Sequence, residues 1–338
     1  MTATPTSSPR GETARTRIRE LLSYRESGVF LALVIFFVVM YTVSPIFRSP
    51  FNLTTILRQI SVTSIMAMGQ TLVIVSGAFD LSQASIAGLA AMVTARLWKI
   101  YGLAPPFAIA GGLGVGILCG FLNGMLAARF RLHPIVMTLA TGAVFLGVNF
   151  YITRGESIVG LPVGLVFLGQ GRIFGIPALV ILMFIVAILM HIMLTRTLFG
   201  LRVRMIGGNL KASQDMGMNV ERIRVGIFTL SGFLSALGGI VLLGRVGNAV
   251  PQIGQGLLFP VVTAAIVGGT LLTGGVGSMA GTLIGAAIMG ITRNALVVLQ
   301  MSIYLQDIVQ GALVVVALLV DQFRRGELTW RIILGLDR

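Results

Sequence analysis

Apolar residues run along this chain in long unbroken blocks separated by short polar gaps, rather than alternating or recurring on one face. A helix rises 1.5 Å per residue, so about 20 residues cross the roughly 30 Å hydrocarbon core of a bilayer. The blocks fall at 28–44, 60–79, 83–97, 104–128, 134–152, 176–194, 225–243, 259–275, 277–299 and 304–320. Two boundaries need a break to be found. The stretch 60–97 is too long for one helix, and Gly77-Ala78-Phe79-Asp80 interrupts it; the stretch 257–299 is interrupted at Thr273-Gly274-Gly275-Val276-Gly277. The pattern predicts an all-α membrane protein of about ten transmembrane helices, with re-entrant or broken helices allowed near the two interruptions.

Composition agrees. Of 338 residues, 56% are hydrophobic and only 11% charged, and the mean hydropathy is +0.95. The net charge of +14 does not point to nucleic acid, because the basic residues sit in the gaps between blocks, where topology signals belong. With ten spans and the N-terminus inside, 17 of the 25 Lys and Arg face the cytoplasm and 7 the other side, leaving Arg293 within a span. Merging 60–97 into one span would put the basic segment 195–224 outside and forfeit the largest cluster. Both termini are therefore expected in the cytoplasm. Residues 1–27 read as a polar, disordered cytoplasmic tail, 28–322 as the transmembrane domain, and 323–338 as a C-terminal cytoplasmic tail. The block at 28–44 lacks a small-x-small cleavage site and is followed by further spans, so it reads as a retained anchor. Cys119 is the sole cysteine, which excludes an intrachain disulfide.

Glycines recur every fourth residue at Gly112, Gly116, Gly120 and Gly124, and again at Gly277, Gly281 and Gly285. Such stripes permit close backbone approach between helices; lining a permeation path is the alternative. The segment Ile74-Val75-Ser76-Gly77 is echoed by Ile266-Val267-Gly268-Gly269, an echo that chance among apolar sequences also produces.

A few polar groups lie where the bilayer should be. An unpaired carboxylate at mid-bilayer costs about 2.5–3.5 kcal/mol on insertion scales, so Asp80 needs compensation. Asp80 and Gln83 have capping-box spacing, which offers a structural role; a helix interruption lining a polar cavity offers a functional one. Phe79, Asp80, Ser82 and Gln83, with the in-span amides Asn123 and Asn149, are the candidate solute-pathway residues. Arg293 and Asp307 flank the turn near Gln300 at equal spacing, which predicts a structural ion pair across that hairpin. His133 and His191 stand apart from any Cys or carboxylate cluster, so no metal site is expected.

The polar segment 195–224 is the chain's other anomaly. Asn209 is a good N-cap and Gly217 a good C′ residue, predicting a two-turn helix over 210–216. Such a helix either presents a face to a partner or belongs to a passive loop. The chain has no GxxxxGK[ST] phosphate loop, no HExxH and no plausible Ser/His/Asp set, so it is not expected to be an enzyme, and any use of ATP and magnesium falls to another polypeptide.

Three patches resemble the membrane permeases of bacterial ABC importers of the ribose-type monosaccharide family. They are the segment 71–82 with Ser76-Gly77-Ala78-Phe79-Asp80-Leu81-Ser82; the loop Gly207-Gly208-Asn209, Ala212 and Gly217-Met218-Asn219-Val220; and Ala265-Ile266-Val267-Gly268-Gly269-Thr270 with Gly274-Gly275-Val276-Gly277 and Gly281-Thr282-Leu283-Ile284-Gly285. The likeness runs from about residue 30 to 322. It departs from the family pattern at Gln83-Ala84-Ser85 and at the charges Arg293 and Asp307. The resemblance implies an inner-membrane permease working as a homo- or heterodimer with a second permease chain, an ABC ATPase subunit and a solute-binding protein, in a lipid bilayer and without nucleic acid. Gly208, Asn209, Leu210, Ala212, Asp215 and Gly217 would then couple to the ATPase. A branched-chain amino-acid permease of the same superfamily is the nearest alternative; an ion-coupled carrier or channel is an alternative of another class.

Overall fold

The computed structural model describes residues 27–130 and 132–325. Thirteen α-helices dominate these residues. They are α1 (Ser27–Val43), α2 (Pro50–Val75), α3 (Gln83–Lys99), α4 (Pro105–Arg129), α5 (Pro134–Thr153), α6 (Val163–Gln170), α7 (Ala178–Arg196), α8 (Leu198–Gly208), α9 (Leu210–Asp215), α10 (Val220–Val246), α11 (Leu258–Val267), α12 (Met279–Val298) and α13 (Ile303–Arg325). The exceptions are a 3-10 turn at Gln255–Leu257 and one antiparallel hairpin of two-residue strands, β1 (Arg172–Ile173) and β2 (Ile176–Pro177). Phe174 and Gly175 form the hairpin turn with φ of 50° and 81°, the left-handed pair that a two-residue hairpin loop demands.

Each of the ten apolar blocks is matched by a helix. Five helices, α4, α5, α7, α10 and α12, are long and apolar enough to cross a membrane. Two boundaries move. The second helix starts at Pro50 rather than near residue 60, because Ser49 caps it by accepting from the Asn52 N–H and Pro50 occupies its first turn. The eighth stops at Val267, well short of residue 275. At 10 residues α11 reaches about 15 Å, half the hydrocarbon thickness, so it is a broken helix. The expected tail at 1–27 lies almost wholly outside the described residues, as does most of 323–338; α13 itself extends to Arg325.

Helix α10 is the centre of the bundle, packed against α2, α3, α4 and α6. Its contact with α4 rests on the first glycine stripe. A Cβ at Gly116 would meet Ala236 and the Gly232 carbonyl, one at Gly120 the Phe228 carbonyl, and one at Gly124 the Val225 backbone. In the second set Gly281 and Gly285 of α12 lie against Gly268 and Ala264, whereas Gly277 precedes the helix and faces Val75 and Thr270. The first stripe and the helical part of the second are helix-packing surfaces. The outward faces of α5 and α7 carry exposed Leu139, Val144, Phe184, Ile188 and Leu189, as helices bathed in lipid should.

Candidate functional site

The first interruption follows α2. Gly77 takes φ of 76°, the Gly77 N–H donates to the Ile74 carbonyl and the Ala78 N–H to the Val73 carbonyl, a helix ending that favours glycine in the left-handed position. Three residues on, Asp80 is fully buried. Its Oδ1 accepts from the Ser82 N–H at 3.0 Å and the Ser82 Oγ at 2.6 Å, and its Oδ2 from Ser231 Oγ of α10 at 3.0 Å. Asn123 Nδ2 of α4 donates to Ser82 Oγ at 2.8 Å, and Gln83 Nε2 to Ser231 Oγ at 2.7 Å. Three donors thus compensate the carboxylate, and one network ties the interruption to α3, α4 and α10.

The capping-box arrangement is not what forms. Ser82 occupies the N-cap of α3, and Asp80 instead closes an Asx turn onto it, because the Gln83 amide is taken by Ser231 rather than turned back along its own helix. Asn149 is also fully buried and donates to the Pro251 carbonyl at 2.7 Å. Gln83 Oε1, Asn123 Oδ1 and Asn149 Oδ1 have no hydrogen-bond partner. In this conformation these pathway candidates hold helices together and solvent does not reach them; Phe79, half-buried, packs beside Ile74, Val262 and Ile266.

The second interruption follows α11 and repeats the first bond for bond. The Gly269 N–H donates to the Ile266 carbonyl and the Thr270 N–H to the Ala265 carbonyl, with Gly269 at φ of 88°. The 74–77 and 266–269 echo is therefore realised as two equivalent helix endings. They also touch: the Gly275 N–H donates to the Val75 carbonyl at 2.8 Å.

The third segment to arrive is the end of α8. A Cβ at Gly207 would collide with the Val75 carbonyl and the Gly275 nitrogen, and one at Gly274 would meet the Gly207 carbonyl and the Gly77 nitrogen. Arg204 Nη2 donates to the Gly277 carbonyl at 3.2 Å. Next comes α9, whose N-cap Asn209 accepts from the Ala212 N–H at 2.9 Å and whose C′ Gly217 has φ of 74°. Ser213 is buried, while Leu210, Lys211, Ala212, Gln214, Asp215 and Met216 are exposed. The short helix thus offers one outward face and is joined by two residues, Gly208 and Asn209, to the contact that links both interruptions.

Three features have no counterpart in the sequence reading. Helix α8 precedes α9 where only a loop was expected. Arg293 opens onto a cavity shared with Arg245, and Asp307 is exposed on α13; the amide pair Asn52–Asn294 bridges α2 and α12, with Nδ2–Oδ1 distances of 2.9 and 2.8 Å. Ser231, central to the Asp80 network, carries no sequence signal beyond being a hydroxyl in an apolar block. Among the described residues no group of three or more His, Cys, Asp or Glu side chains comes together.

The three segments that meet at Gly207, Val75 and Gly275 are the same three that resemble a known permease family, and comparison with known proteins agrees. Residues 52–318 match the family described as branched-chain amino acid transport system / permease component. The chain belongs to this family. It is 36% identical over 297 residues to the ribose import permease protein RbsC of Bacillus subtilis, covering 87% of this chain and 92% of that one. It is 34% identical over 287 residues to the fructose import permease protein FrcC of Rhizobium meliloti, covering 82% and 80%. It is 34% identical over 303 residues to the D-allose transport system permease protein AlsC of Escherichia coli, covering 89% and 93%. No solved structure matches it. The chain is thus the multi-pass, inner-membrane permease component of a sugar-type ABC importer; it is not an enzyme, and ATP hydrolysis occurs on a separate ATPase.

Proposed function

We propose that this permease conducts a monosaccharide or sugar-like solute and that α9 is the attachment point of its ATPase, which binds the ATP and magnesium. The solute class is supported by its relatives, a ribose import permease, a fructose import permease and a D-allose transport system permease. The coupling role is supported by one observation above all: α9 begins three residues after Gly207, and Gly207 touches both helix interruptions without room for a Cβ. Force applied to the exposed face of α9 has a rigid route to both. Closure of two ATPase subunits would move α8 and α9 and switch the pathway between outward- and inward-facing states, a rigid-body coupling of two packed arrangements.

In this reading the domain runs from 28 to 322 with ten spans and both termini cytoplasmic, two permease chains enclose the pathway, and a solute-binding protein delivers the cargo. Gly208, Asn209, Leu210, Ala212, Asp215 and Gly217 shape the docking helix. Phe79, Asp80, Ser82, Gln83, Asn123 and Asn149 belong to the solute pathway, and Arg293 and Asp307 lie toward the end of the bundle remote from α9. Co-purification tests the core of this: an ABC ATPase subunit should be retained by the wild-type chain and lost when 209–217 is replaced by a Gly-Ser linker. Retention by that variant, or no ATPase with either, contradicts it.

A further inference from the structure

At the end of the bundle remote from α9, two arginines line one cavity and a third is joined to it through Gln170, with no acid among the described residues that line it. Arg245 is near the C-terminus of α10, whose 27 residues carry it roughly 40 Å from the loop that holds α9. Arg293 comes from α12 and Arg58 from α2. Arg245 and Arg293 line a cavity of about 390 Å³ with Gln59, Val62, Leu242 and Ile253, a volume within the roughly 300–1,000 Å³ of small-molecule sites. None of the residues lining it is acidic.

Gln170 joins Arg58 to the backbone of Arg245. Arg58 Nη2 donates to the Gln170 carbonyl at 2.8 Å, and Gln170 Nε2 donates to the Arg245 carbonyl at 3.0 Å. Arg58 Nε is buried with no hydrogen-bond partner. All three side chains are half-buried. Half-buried like charges repel and lack the carboxylate that ordinarily offsets desolvation. A guanidinium fork matches the two oxygens of a carboxylate or phosphate. Glu156 and Asp307 are exposed on other segments.

We infer that this cavity is a pathway subsite for a solute bearing a carboxylate or phosphate, so that the transported molecule is a sugar-like acid rather than a neutral sugar. This rests on the importer reading above and narrows its substrate class. The same chemistry could instead receive a carboxylate of the docked binding protein, and the experiment separates the two sources.

The permease, its ATPase and its binding protein are reconstituted in proteoliposomes. ATP-driven uptake is measured for D-galacturonate, D-ribonate and ribose 5-phosphate beside D-galactose and D-ribose. At least one acid should be imported in clear preference to its neutral parent. Arg293→Gln and Arg245→Gln should each lower that uptake about tenfold, the worth of one charge-assisted hydrogen bond, and Arg293→Lys should recover part of it. Stimulation of ATP hydrolysis by unliganded binding protein should stay unchanged in all three variants, which also reports that they fold and dock. Import confined to neutral sugars, or uptake indifferent to both Gln variants, overturns the proposal while leaving the importer reading intact. A loss of binding-protein stimulation that parallels the loss of uptake assigns the arginines to docking and overturns it too. Absence of that stimulation in the wild type removes the importer reading itself.

Discussion

The backbone N–H of Gly275 donates to the carbonyl of Val75 at 2.8 Å, fastening the second helix interruption to the last turn of the helix that precedes the first. Both partners are backbone groups freed by the interruptions themselves: Val75 ends α2 and Gly275 lies in the non-helical segment after α11. In hydrocarbon such groups must be satisfied within the protein. The two breaks satisfy each other, and Gly207 closes over the junction.

Packing on the first glycine stripe can be separated from any effect of the residue itself. Gly114 and Gly116 lie on the same helix, but Gly114 has nothing within 4 Å of an added Cβ whereas Gly116 faces Ala236 and Gly232. Gly114→Leu should leave thermal stability in detergent unchanged or slightly raised, since glycine within a helix costs about 0.5–1 kcal/mol. Gly116→Leu should cost about 1–3 kcal/mol or prevent assembly. Equal melting behaviour of the two variants would contradict this packing.

The reciprocal amides of Asn52 and Asn294 make a direct link between α2 and α12. Replacing either by Val should destabilise the fold by leaving the other amide short of a partner. The double replacement should cost less than the sum, with a coupling of about 0.6–1.7 kcal/mol, the range found for hydrogen bonds between membrane helices. A double-mutant cycle on unfolding in detergent measures it, and strict additivity would mean that the two amides do not depend on one another.

The cap of α9 should matter for coupling more than for folding. Asn209→Ala removes the acceptor for the Ala212 N–H, worth about 1 kcal/mol in a helix of this kind. Amide exchange should accelerate over 210–216 and stay unchanged in α8, and ATP-driven uptake should fall several-fold. Asn209→Asp keeps the acceptor and should behave as wild type. An Ala variant with unaltered exchange would show that the cap does not hold α9.

Much of this was legible in the chain and some was not, for identifiable reasons. Uninterrupted apolar blocks locate helices well because a bilayer forces every backbone group into a helix or into protein. Asn209 and Gly217 announced α9 because capping is local chemistry. The true start of α2 was hidden because Asn52, Arg58 and Gln59 make its first turns look polar; Asn52 is buried against α12 and Arg58 reaches the Gln170 carbonyl. The early end of α11 was hidden because Leu271 and Leu272 continue the apolar block after Gly268 and Gly269 have stopped the helix. Helix α8, with Arg202 and Arg204 among its residues, read as loop. The Asp80 network needed Ser231, which is 151 residues away in sequence, and no local pattern joins those two.

The central claim is that α9 acts on both interruptions through Gly207, and the comparison of Gly207→Val with Gly114→Ala tests it most directly. An added Cβ at Gly114 meets nothing within 4 Å, while one at Gly207 collides with Val75 and Gly275. In proteoliposomes with ATPase and binding protein, Gly114→Ala should import at the wild-type rate. Gly207→Val should retain its ATPase and continue to hydrolyse ATP, yet lose about tenfold or more of its uptake, a loss equivalent to roughly 1.4 kcal/mol or more of coupling. Wild-type uptake by Gly207→Val would contradict the claim.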